Sequence, residues 1–181
     1  MKIVAIIPAK GNSNRLPNKN IICFKGKPML YWAINACLES CYDIDVYVNS
    51  DSKVVLDIAK SFGANVVDRD LKVTGDNIFK QEIIRSTVFY LKNQSKIYDI
   101  VISLQANSPQ IKGVDLDQGI DKFIQYNLHE LFSVDRNLMQ NAAFRIMKWS
   151  YVFQRDLSTN CGVVVCDLKD IHTKEDMEEI G

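Results

Sequence analysis

No run in this chain is apolar for long enough to cross a bilayer, and the N-terminal stretch Ile3-Val4-Ala5-Ile6-Ile7 ends at Pro8 without a small-residue cleavage site. It reads as a strand, not as a signal peptide. Charge of one sign is missing too. The 181 residues carry 22 basic and 22 acidic side chains, a formal net charge of zero, which argues against a general nucleic-acid binder. There is no Cys-x-x-Cys pair, and an odd count of five cysteines fits a reducing cytoplasm better than a disulfide scaffold. Cys37 and Cys41 lie one helical turn apart with no histidine close in sequence, so zinc is not expected. No Ser-His or Cys-His spacing supports a covalent nucleophile, and His129 reads as a loop residue. Repeats, low-complexity tracts and linkers are absent. With 47% apolar residues, the chain reads as one domain over 1–181 with a single core.

What is present is a basic loop after an apolar strand. Residues 6–20 read Ile-Ile-Pro-Ala-Lys-Gly-Asn-Ser-Asn-Arg-Leu-Pro-Asn-Lys-Asn, holding Lys10, Arg15 and Lys19 and no acid. Beyond it, Pro28 opens an apolar-periodic segment through Met29, Leu30, Trp32, Ala33, Ala36 and Cys37, the pattern of a helix. Strand, basic loop and helix in that order place backbone N–H groups and three cations at the carboxyl edge of a parallel sheet, where open α/β folds bind ligands. A nucleoside triphosphate is the first candidate ligand. The loop is neither the dinucleotide fingerprint nor the Walker pattern, because Gly11 is its only glycine and no Gly-Lys-Ser/Thr follows. A solvated lysine-rich surface loop is the competing reading.

The remainder alternates strand and helix: strand 45–49, helix 52–62 with Ser52 as N-cap and Gly63 past its end, strand 65–67, helix 77–93, strand 99–104, helix 115–126 and strand 131–134. Ile78, Phe79, Ile83, Ile84, Thr87, Val88 and Leu91 form the buried face of the third helix. Repeated βα units predict an α/β fold, a three-layer, doubly wound, mostly parallel sheet with right-handed crossovers. Trp32 and Trp149 read as packing residues.

Three segments carry a likeness to a known family: Ile7-Pro8-Ala9-Lys10-Gly11-Asn12-Ser13, Leu16-Pro17-Asn18-Lys19-Asn20-Ile21 and Phe24-Lys25-Gly26-Lys27-Pro28-Met29-Leu30. Together they resemble the signature of the CMP-N-acylneuraminate synthetases. Val48-Asn49-Ser50-Asp51, Asp68-Arg69 and Leu104-Gln105-Ala106-Asn107-Ser108-Pro109 follow in the family's order, so the likeness covers about residues 1–125. It implies a Rossmann-like nucleotidyltransferase in which the anomeric hydroxyl of an acidic nonulosonic sugar attacks the α-phosphate of CTP and expels pyrophosphate, with Mg²⁺ as cofactor. Lys10 and Lys19 would be the catalytic cations. Ala9, Lys10, Ser13, Lys19, Asn20, Arg69 and Gln105 would bind the nucleotide, with Gln105 between the two substrates. The implied assembly is a cytoplasmic homodimer. CMP-KDO synthesis, transfer to a sugar 1-phosphate, and a nucleotide-binding relative without catalysis stand as alternatives.

The likeness is interrupted in several places. Lys10 stands where arginine is usual, giving a point charge in place of a planar fork. Gly75-Asp76-Asn77-Ile78-Phe79-Lys80 replaces a serine-rich stretch, Asn107 replaces threonine, and Gln110-Ile111 replaces Leu-Arg. Asp51 and Asp76 are candidates for metal or ribose contact and equally for helix entry. At the C-terminus, either Asp170-Ile171-His172 stands for the family's Asp-x-Asp, making Asp170 the metal ligand, or Cys161–Cys166 is the late strand and the metal motif is missing. Phe144–Trp149 and Tyr151–Phe153 read as short strands, either of a dimerisation arm within 135–160 or of a peripheral hairpin. Arg145, Lys148 and Arg155 are candidates for the carboxylate of an acidic sugar, Arg155 foremost, because arginine forks match carboxylates.

Overall fold

A computed structural model describes the chain except residues 14, 71–73, 75–77, 157 and 181. In chain order the elements are β1 (Ile3–Pro8), a small hairpin of β2 (Cys23–Phe24) and β3 (Lys27–Pro28), α1 (Met29–Leu38), β4 (Ile44–Ser50), α2 (Lys53–Ser61), β5 (Asn65–Asp68), α3 (Lys80–Asn93), β6 (Ile100–Leu104), α4 (Gly113–Gln125), β7 (Glu130–Val134), β8 (Gln140–Lys148), β9 (Cys161–Val165) and α5 (Lys174–Ile180). The main sheet has the order β5-β4-β1-β6-β8-β7-β9. All neighbours pair in parallel except those of β8, which runs antiparallel to both β6 and β7. The doubly wound, mostly parallel sheet is therefore the observed architecture.

Period-two alternation explains the layers. Ile3, Ala5 and Ile7 face one side of the sheet and pack with Leu30, Ala33, Ile34, Leu116, Ile120 and Phe123 of α1 and α4. Val4 and Ile6 face the other and meet Ile84, Val88 and Leu91 of α3. β1 lies between two parallel partners and is buried on both faces, hence its unbroken apolar run. A third, smaller cluster joins Leu16 of the basic loop, Phe24 of the hairpin, Met29 of α1 and Ile171. Met177 and Ile180 of α5 pack against it. The C-terminal segment is thereby pinned to the loop after β1.

One close approach governs helix packing. A Cβ on Gly113 would lie 2.6 Å from the carbonyl carbon of Glu39 and 2.7 Å from its oxygen, both backbone atoms that cannot swing aside. Gly113→Ala is expected to push α4 from the end of α1 and to lower the unfolding free energy by about 1–3 kcal/mol. Urea denaturation checks this, and an unchanged midpoint would contradict it.

Several boundaries differ from expectation for local reasons. α4 starts at Gly113, not 115, because the Asp115 carboxylate accepts the Lys112 N–H at 2.9 Å and so caps the turn before it. Ser52 occupies the N-cap position of α2, yet its side chain makes no capping bond. The third helix begins at Lys80, and residues 75–77, including the candidate Asp76, lie outside the described residues. The stretch 144–149 does not form a peripheral hairpin. Residues 140–148 form an inner strand, with Ser103 opposite Arg145 on one side and Phe132 opposite Arg145 on the other. Trp149–Tyr151 is a 3-10 turn, after which Val152 is buried against α3. Trp32 and Trp149 pack as expected, edge-on to Phe24 and tilted against Tyr98 respectively.

Candidate active site

The loop after β1 is held open by its own neighbours. Ala9 is buried and donates its N–H to the Asn49 carbonyl at 2.9 Å, so it anchors the loop and does not line the cavity. Gly11 donates to the Asp51 carboxylate at 2.7 Å, and a Cβ there would sit 2.5 Å from Ser52 Cβ. Asp51 is thus a loop brace. Asn18 takes a left-handed conformation, φ 56°, which starts the 3-10 turn Lys19–Ile21 and aims Lys19 back at the loop's mouth. Asn20, also buried, donates its side-chain amide to the Lys10 carbonyl at 2.7 Å and ties the two ends together.

The loop forms one wall of a cavity of about 410 Å³. Lys10, Ser13, Arg15, Lys19, Asn20, Arg69 and Gln105 all line it, with Lys80 of α3 and Asn107 after β6. Among the described residues the lining carries the cations Lys10, Arg15, Lys19, Arg69 and Lys80 and no carboxylate, although that of Asp170 is bonded to the lining residue Gln105. Arg69 is oriented by Asn49, donating Nε to its side-chain oxygen at 2.8 Å and a terminal nitrogen to its carbonyl at 2.9 Å. Asn49 in turn donates to Thr87 at 2.9 Å, fixing the arginine from below. Burial lowers the pKa values of Lys19, Arg69 and Lys80, with Arg15 adding to the effect on Lys19. Cations desolvated in this way attract an anion more strongly than exposed ones.

Asp170 is brought to this cavity from the far end of the chain. Its carboxylate accepts Gln105 Nε2 at 3.1 Å and the Ser108 hydroxyl, and its charge acts on Lys19 and Lys80. Asn107 sets the position by pairing twice with Ile171: its carbonyl accepts the Ile171 N–H at 2.9 Å, and its side-chain amide donates to the Ile171 carbonyl at 2.8 Å. Threonine has no amide to make the second bond. Asn107→Ala is expected to cost about 1–2 kcal/mol locally. Faster amide exchange at Ile171 and its neighbours, read by NMR, would show it; unchanged protection there would contradict the clasp. His172 lies against Arg15, 3.4 Å between ring Nδ1 and guanidinium, and burial with the nearby cations Lys19 and Arg15 lowers its pKa, favouring the neutral imidazole. Cys161–Val165 is a strand, β9, the helix after it is confined to Lys174–Ile180, and Asp170 lies between the two.

The residues expected for a sugar carboxylate are not brought together. Arg155 is exposed and outside the cavity lining. Arg145 is held by Glu130 at 2.6 Å and Gln81 at 3.0 Å, and Lys148 by Asn127 at 2.6 Å. His129 stacks on Tyr151, away from the lining residues. Lys80 is the functional candidate that sequence reasoning passed over. Its only signal was its place in the segment substituting for the serine-rich stretch. Among the described residues no cluster of three His, Cys, Asp or Glu side chains could by itself hold a metal.

A cation-lined cavity at the carboxyl edge of a doubly wound sheet lies where open α/β folds bind their ligands. The chain belongs to the cytidylyltransferase family, whose model matches residues 4–147. It is 35% identical over 134 residues to a pseudaminic acid cytidylyltransferase of Campylobacter jejuni, covering 74% of this chain and 58% of that protein. It is 34% identical over 112 residues to a CMP-N,N'-diacetyllegionaminic acid synthase of Legionella pneumophila, covering 60% and 47% respectively. The chain thus spans about half the length of these relatives. In fold it is similar to CMP:2-keto-3-deoxy-manno-octonic acid synthetase complexed with CTP, with a TM-score of 0.77 at 16% identity over 99% of this chain and 97% of that one.

Proposed function

We propose that the chain transfers CMP from CTP to the anomeric hydroxyl of an acidic nonulosonic sugar, of the pseudaminic, legionaminic or sialic type, releasing pyrophosphate. The observation that carries this reading is the cavity wall itself, on which Lys10, Arg15, Lys19, Arg69 and Lys80 converge. In the reaction a bond forms from the anomeric oxygen to the α-phosphorus while the bond to the β-phosphate bridging oxygen breaks, so negative charge grows on the departing pyrophosphate. Fixed cations aimed at that charge lower the barrier without a covalent intermediate. Lys10, Ser13 and Lys19 hold the triphosphate in this reading, Asn20 and Arg69 lie on the nucleoside side, and Gln105 lies between donor and acceptor.

Mg²⁺ fits the same site. A hard cation keeps several waters and takes one or two carboxylates plus substrate phosphates, and each oxygen of Asp170 keeps a lone pair beyond its bond to Gln105 or Ser108. Asp170 is the proposed ligand, and the ion would supply further charge neutralisation on the phosphates. A cytoplasmic homodimer belongs to the same reading. No helix among the described residues is long and apolar enough to cross a membrane. The edge strand β9 leaves Val163 and Val165 exposed for a partner. Chromatography of products from CTP, UTP, ATP and GTP, each with Mg²⁺ and a sugar acid, tests the nucleotide. A CMP-sugar from CTP alone is expected, and a product formed only from GTP would overturn the assignment.

A further inference from the structure

Among the described lining residues, one cation comes from an α-helix. Lys80 is the first residue of α3, and its Nζ has a single polar contact among the described residues, the Ala142 carbonyl of β8 at 3.4 Å, near the limit of a hydrogen bond. An ammonium has three donors to satisfy. The neighbouring Arg145 does not compensate it, being a like charge already committed to Glu130 and Gln81 and seated over the Phe132 ring at 5.0 Å. We propose that Lys80 is the acceptor-side cation of the site, pairing with the carboxylate of the sugar acid while the loop cations hold the triphosphate; the inference rests on the cytidylyltransferase reading of the cavity.

Position separates the two roles. Lys10, Arg15 and Lys19 belong to the loop after β1, whereas Lys80 reaches toward β8, beyond β6 in the sheet. Asp170 acts on both Lys19 and Lys80 and is bonded to Gln105, so it stands where the two halves of the cavity meet. The chemistry asks for a cation at that junction. In an α-keto acid sugar the carboxylate is attached to the same carbon as the attacking hydroxyl, so it enters within a few bonds of the reacting phosphorus. It must pass Gln105 and Asp170 to do so, and a carboxylate beside Asp170 is repelled unless a cation receives it. The other candidates are spent: Arg155 is outside the cavity, Arg145 and Lys148 are paired, and Arg69 is turned to Asn49. Burial already depresses the Lys80 ammonium, and an incoming carboxylate would restore its charge balance.

The test is direct binding of pseudaminic, legionaminic and N-acetylneuraminic acids, and of their methyl esters, by calorimetry in the presence of Mg²⁺ and α,β-methylene-CTP. Loss of one charge-assisted contact predicts that Lys80→Met weakens binding of the preferred acid by about 10-fold or more and leaves the nucleotide within about 3-fold of wild type. The preference of the wild type for acid over ester should collapse in that variant, and Lys80→Arg should retain it. If the wild type binds an acid and Lys80→Met binds it equally well, or if the loss falls on the nucleotide, the role of Lys80 is overturned alone. Nucleotide binding by the wild type with no acid bound from the panel would overturn the cytidylyltransferase reading and this inference with it.

Discussion

Lys19→Ala is expected to weaken CTP binding by about 10- to 100-fold and to lower turnover by at least as much, because a half-buried ammonium removed from a phosphate site forfeits a charge-assisted contact of about 1.5–3 kcal/mol. Lys19 is suited to that role by its setting. It stands on a turn started by the left-handed Asn18, lines the cavity, and is desolvated enough for its pKa to fall. Its neighbours Arg15 and Lys10 remain, so binding should be reduced and not abolished. Calorimetry of the variant with CTP measures the loss. Affinity and kinetics equal to wild type would mean that the triphosphate lies elsewhere.

Asp170→Asn is expected to act on the chemical step. Replacing the carboxylate with an isosteric amide keeps an acceptor for Gln105 but removes the charge that faces Lys19 and Lys80. If Asp170 helps hold Mg²⁺ against the phosphates, turnover should fall by about 10²- to 10³-fold, the scale of losing a preorganised electrostatic contact in an active site. CTP affinity measured without Mg²⁺ should hold or rise, since a negative charge has left the anion site, while the gain in affinity on adding Mg²⁺ should shrink. Wild-type turnover with the same Mg²⁺ dependence would remove Asp170 from the metal site.

The N-terminal two thirds of the fold were legible because their signals are local. Ile3–Ile7 is apolar on both faces, as a central parallel strand must be, and the loop after it carries three cations and no acid. Lys10, Ser13, Lys19 and Asn20, expected at the nucleotide, line the cavity, whereas Ala9 lies behind the loop and anchors it. The C-terminal third was harder because its partners are distant in sequence. Arg145 looks like a surface cation until Glu130 and Gln81 close on it and β8 enters between β6 and β7. Arg155 has the right chemistry in the wrong place. The position of Asp170 depends on Asn107, 63 residues earlier in the numbering of the same chain, whose departure from threonine looked like a loss and is a clasp. Lys80 was hidden for a related reason: whether the first residue of a crossover helix faces a cavity depends on the crossover, not on the helix.

Transfer of CMP to a sugar acid in this cavity, as proposed, must release pyrophosphate, and that release can be followed continuously. With CTP and Mg²⁺, screened against pseudaminic, legionaminic, sialic and KDO-type acids, the expected result is rapid release with a nonulosonic acid and none without an acceptor. CTP binding accompanied by no release with any acid of the panel would contradict it.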